Sequence, residues 1–147
     1  MKLEDYLKQL EKDLQSKQLA VGWFSTAKYQ DSGTPVAEAA ATNEYGNPID
    51  HIPPRPFMRP VFAEKKNEWQ KIAAAMIKQN KDSGQILDML GTTISGQIRE
   101  KISTIHNPVL SKRTLTERKL RGNSNEKPLN DTGYMIATLT YEIKNVG

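Results

Sequence analysis

Cysteine is missing from all 147 residues, so disulfide frameworks, thiolate metal sites and cysteine nucleophiles are excluded. Histidine is nearly missing too. His51 and His106 stand alone, with no second histidine or paired carboxylate at metal-ligand spacing. No apolar run approaches the ~18 residues that cross a bilayer. The opening Met1-Lys2-Leu3-Glu4-Asp5 lacks the apolar core of a signal peptide, so the expectation is a chain made in the cytoplasm with no membrane partner. Phosphate-binding glycine loops, dinucleotide fingerprints and nucleophile elbows are likewise not found, and the reading is not an enzyme, with no cofactor. Aromatics make up only 7% and hydrophobic residues 37% of the chain, below the usual globular share. A small core with much polar surface follows. A net charge of +4 is too low for global disorder at this composition.

The charge is unevenly placed. Residues 1–60 hold seven Lys/Arg against eight Asp/Glu, and residues 61–147 hold fourteen against nine. Stretch 107–128 alone carries six basic and two acidic residues, the whole excess. Such a patch suits phosphates or an acidic protein surface, or is simply a solvated loop and helix face.

Hydrophobic spacing outlines the elements. Leu3, Leu7, Leu10 and Leu14 form a narrow stripe on a helix over 2–17. Leu19 to Phe24 is apolar on both alternating faces and predicts a strand over 19–25 with both faces covered. Asp31-Ser32-Gly33 is a turn, with β structure allowed in 24–34. Thr34 as N-cap and Pro35 as first residue open a helix rich in alanine, whose small side chains suit close packing on a sheet. That helix ends at Tyr45-Gly46-Asn47-Pro48. Five of the eight prolines fall in 48–60, an extended and stiff segment. Helices follow over about 61–80, with Phe62, Trp69, Ile72, Ala73, Met76 and Ile77 buried, and over 84–105, opened by an Asp82/Gln85 capping box. In the latter, Leu87, Leu90, Ile94, Ile98, Ile102 and Ile105 share a face, and Gly91 and Gly96 suggest close packing. A short basic helix near 111–120 precedes a C-terminal strand over 139–146, where Tyr141 and Ile143 share a face. The fold class is α+β, a small mostly antiparallel sheet packed with several helices, with an N-terminal amphipathic helix and an extended proline-rich loop. One domain, 1–147, comprises helix 1–17, a strand and helical core 18–105, a basic loop and short helix 106–130, and strand 131–147. Segments 25–34 and 106–130 are polar and turn-rich, as expected of stretches ordered by a partner.

Three segments exceed what packing needs: Asn43-Glu44-Tyr45-Gly46 running into Pro54-Arg55-Pro56-Phe57-Met58-Arg59, the basic Ser111–Lys119, and Pro128-Leu129-Asn130-Asp131-Thr132-Gly133. In this order they resemble the phage virion-morphogenesis and tail-completion family, and more widely the head–tail joining proteins, over roughly residues 19–146. The resemblance implies a structural virion protein of a tailed phage, a ring (a hexamer) around a DNA channel at the neck or tail end. Its partners would be itself, the adjacent head-connector and tail-tube or terminator proteins, and genomic DNA touched without sequence specificity. Glu44, Tyr45, Arg55, Phe57, Met58 and Arg59 would form the assembly interface. Lys112, Arg113, Arg118, Lys119 and Arg121 would face DNA or an acidic partner. The residues themselves leave alternatives open. Prolines lower the entropy lost on docking, and Arg and Phe are interface types; yet Phe57 could plug its own core, Arg55 could bridge to Glu44 or another local acid, and Asp131 or Thr132 could cap a helix. A tail terminator is the neighbouring reading. From another class comes a small nucleic-acid-binding module using 107–128, which has neither interleaved aromatics nor a helix-turn-helix. A small hydrolase ranks last, having no catalytic constellation.

Overall fold

The computed structural model describes residues 2–29, 32–105, 119–120 and 133–146. Among them are five helices and two strands: α1 (Leu3–Gln15), β1 (Lys17–Gly22), α2 (Val36–Tyr45), α3 (Met58–Lys78), α4 (Ser83–Thr104), α5 (Tyr134–Thr138) and β2 (Thr140–Asn145). This is the small α+β fold that the periodicities predict. None of these helices is long and apolar enough to cross a membrane.

α4 is the axis of the fold. Asp82 accepts from the Gln85 backbone N–H, and the Gln85 side chain accepts from the Asp82 N–H, so the expected capping box forms and starts the helix. Its inward face buries Ile86, Leu87, Ile94, Ile98 and Ile102. A tight turn over 79–82, with Asn80 at φ 58°, folds α3 back beside α4 as a helical hairpin. Trp69 ties the two helices together by donating from Nε1 to Gln97 Oε1 at 2.6 Å. On α3 the buried face is led by Val61 and Trp69, while Phe62, expected inside, is half-exposed and packs edge-on against Trp69.

The leucine stripe of α1 is only partly used. Leu10 is buried with Tyr6 against Ile86, and the Tyr6 hydroxyl donates to Lys81 O. Leu3, Leu7 and Leu14 stay exposed. The helix is thus rotated so that its one tyrosine and Leu10, rather than the whole stripe, enter the interior.

β1 and β2 pair antiparallel, with Leu19 opposite Ile143 and Val21 opposite Tyr141. These four side chains share the face that lies on α4. The Tyr141 hydroxyl is within bonding distance of Asp88 and Thr92. On the other face Gly22 is buried and Ala20 half-buried, as expected of a strand covered on both faces, while Thr140, Glu142 and Lys144 of β2 beside them are exposed.

One boundary moves. Pro35, not Thr34, is the N-cap of α2, because Pro35 pairs with Lys28 in an isolated bridge and the Val36 N–H donates to Ala27 O. Together with the bond from Tyr29 N–H to Thr34 O, this isolated bridge is the β structure that the described residues of 24–35 carry. α2 does not lie on the sheet: its Val36 and Ala40 join Phe57, Val61, Ile98, Met135 and Leu139 in the main core.

Of Gly91 and Gly96, only Gly91 is closely packed. A Cβ at Gly91 would overlap the Tyr141 ring, whereas one at Gly96 would meet nothing within 4 Å. Gly91→Ala should therefore cost roughly 1–3 kcal/mol, the usual cost of overpacking, and Gly96→Ala should be neutral or stabilising on helix propensity. Urea midpoints would show it, and equal midpoints for the two variants would contradict the packing described.

Candidate functional site

The two motifs that adjoin in sequence, 43–46 and 54–59, close on each other in space. α2 ends at Gly46, whose φ of 75° suits glycine and whose Cβ position would lie 2.8 Å from Ile52 O and Pro54 N. No side chain fits there. Asn47 and Ile52 exchange both backbone bonds at 2.8 Å, and Asn47 Oδ1 accepts from Ile49 N–H, an Asx turn that shapes the tip. Ile49 projects from that tip at 88% exposure. The chain returns through Pro53 and Pro54, and the Arg55 N–H donates to Asn43 O at 2.7 Å.

Glu44 closes the clasp. It is 4% exposed. Its Oε1 accepts from the N–H groups of Phe57 (3.2 Å) and Met58 (2.7 Å), and its Oε2 accepts from Arg59 Nε at 2.9 Å. Arg59 also donates to the Glu44 carbonyl at 2.8 Å. α3 has no acid in its first turn and no capping side chain of its own, so its unpaired N-terminal N–H groups are met by a carboxylate from another helix, where the helix dipole favours negative charge. This explains why α3 begins at Met58 rather than near Val61, with Pro60 tolerated in the first turn.

The predicted interface residues divide accordingly. Glu44, Arg55 and Phe57 are inside. Phe57 is fully buried and meets Trp23 edge-on at 5.7 Å; it plugs its own core, so in the folded chain its side chain is not offered to a neighbour. Arg59 forms an ion pair with Glu44. Fifteen residues of separation give no local signal for that pairing. Tyr45 and Arg59 remain at the surface, stacked with the guanidinium 4.7 Å from the ring centre, and Met58 is half-buried beside them. Between this corner and β1 lies an open cleft of ≈ 270 Å³, lined by Val21, Trp23, Ala37, Ala41, Tyr45 and Met58 among others.

Of the basic residues, Lys119 is exposed on a helical segment, while Lys112, Arg113, Arg118 and Arg121 lie outside the described residues, as do Asp131, Thr132 and most of 106–130. Among the described residues no group of three His, Cys, Asp or Glu could hold a metal ion. No family model matches the chain, and no curated protein and no solved structure matches it.

Proposed function

We propose that this chain is a structural protein of a tailed-phage virion that forms a ring at the head–tail junction or tail end, completing the tail or joining it to the head. The observation that carries the proposal is the clasp of residues 43–59. Its inner half is locked by Glu44, and its outer half presents Tyr45, Arg59 and the projecting Ile49 on a backbone already fixed by hydrogen bonds. A large apolar side chain held rigidly in water is unfavourable for the isolated chain, yet it lowers the ordering cost when a partner covers it. The four sequence motifs supply the kind of partner, namely neighbouring virion proteins. The docking surface is then Tyr45, Ile49, Met58 and Arg59, with Glu44, Arg55 and Phe57 as its internal frame. The basic set, Lys112, Arg113, Arg118, Lys119 and Arg121, belongs to the same proposal as the side facing DNA or an acidic ring. A tail terminator would use the same surface.

The test is incorporation. Tyr45→Ala combined with Ile49→Asp should leave the urea midpoint close to that of the parent, because both side chains are exposed, and should reduce incorporation into particles at least about tenfold, as loss of an interface anchor does. Antibody labelling should place the parent protein at the neck or tail end in electron micrographs. Particles that carry no label anywhere would overturn the proposal.

A further inference from the structure

Among the described residues, no further strand pairs with the outer edge of either strand of the two-stranded sheet. Ser16 O accepts from the Val146 N–H at 2.7 Å, which fixes the alternation of the ladder. Pairs 18/144, 20/142 and 22/140 exchange hydrogen bonds, and the residues between them do not. The N–H and C=O groups of Leu19 and Val21 therefore point away from β2, and those of Tyr141 and Ile143 point away from β1. Among the described residues these outward groups have no hydrogen-bond partner. Neither strand contains a proline to blunt its edge, and α2 stands off from β1 across the cleft at Val21. Natural sheets usually cover, bulge or shorten such edges, since an open one is a template for another strand. A lone two-stranded sheet is also below the size that holds itself together well.

We propose that the open edge of β1 pairs with the open edge of β2 from a second copy of this chain, so that successive copies share one antiparallel sheet. Three features select a second copy as the occupant. Both edges are six residues long. A rotation about an axis running along the strands keeps β1 of both copies pointing the same way, so β1 meets the neighbour's β2 antiparallel, as it meets its own. The faces also agree: Leu19 and Val21 would come beside the neighbour's apolar Tyr141 and Ile143, and Gln18 beside its Glu142 and Lys144. Because β1 edge and β2 edge are different surfaces, the contact is head-to-tail and can close into a ring. Ring closure rests on the function proposed above, whereas the edge pairing rests on the backbone alone.

Amide exchange on the unaltered protein reads the pairing directly. On going from dilute monomer to assembled protein, the Leu19, Val21, Tyr141 and Ile143 amides should slow at least about tenfold, while Gln18 and Ala20, already bonded to β2, should change little. Two variants give a second reading. Leu19→Pro and Ile143→Pro each remove one outward N–H, the position at which an edge strand tolerates proline. Each alone should be monomeric by light scattering. Mixed, they should form a one-to-one dimer that grows no further, because each retains the edge the other has lost. If Ile143→Pro dimerises by itself, pairing is β1 to β1 and the proposal is overturned. If the parent assembles but its outward amides exchange as in the monomer, edge pairing fails and the ring survives through another surface. If the parent stays monomeric up to about 1 mM, weaker than any useful association, both fail.

Discussion

Phe57→Ala should destabilise the fold by roughly 3–5 kcal/mol, the cost typical of emptying a buried phenylalanine site. The side chain has no exposed surface. It lies among Val36, Ala40, Val61 and Met135 in the main core and stands edge-on to Trp23. Its position between Pro56 and the first turn of α3 limits how far the backbone can collapse into the space, which favours the upper part of that range. A loss of that size consumes a large share of the ~5–15 kcal/mol that holds a domain together. Urea unfolding followed by tryptophan fluorescence would measure it, with Trp23 reporting from the site itself. On the sequence alone Phe57 is expected as a docking anchor, and that role requires truncation to leave the fold intact. A loss below about 1 kcal/mol, with assembly abolished, would restore the anchor.

What was legible in the sequence follows from how local each determinant is. The α4 capping box is legible because its two bonds span three residues, and the α4 face is legible because five turns repeat one pattern. The leucines of α1 announce a helix but not its rotation: Tyr6 enters the core because Lys81 O is there to accept its hydroxyl proton, and Lys81 is 75 residues away. The outer face of the sheet shows the same limit: β1's own residues read as covered, and Ala20 and Gly22 are, but they say nothing of Thr140, Glu142 and Lys144 across the ladder, which are exposed. Gly91 and Gly96 look equivalent in a helical pattern, and only the position of Tyr141 separates them. In the candidate site, the motifs are legible as specified segments, and even as neighbours. Their internal roles are not. That Arg59 reaches Glu44 is decided by where α3 starts, and α3 starts where Glu44 caps it.

That mutual dependence makes Glu44 the position with the next largest expected effect. Three donors converge on its carboxylate, two of them backbone N–H groups at the start of α3. Glu44→Ala strands the buried Phe57 N–H and leaves Met58 N–H to find water. At roughly 1–3 kcal/mol for each buried donor left unmet, a loss of about 2–4 kcal/mol is expected. Glu44→Gln keeps an acceptor oxygen but loses the charge that strengthens these bonds and favours the helix N-terminus, so about 1–2 kcal/mol is expected. Arg59→Met should cost least, under about 1 kcal/mol. The Arg59 side chain is 55% exposed, and an ion pair open to water on one side contributes little. Urea denaturation of the three variants gives the order Ala above Gln above Met. If Arg59→Met proved as costly as Glu44→Ala, the ion pair would be the main term and the carboxylate's service as a cap secondary. If Glu44→Ala were neutral, the N-terminus of α3 would not depend on α2, and the clasp would lose the rigidity that makes its outer edge a docking surface.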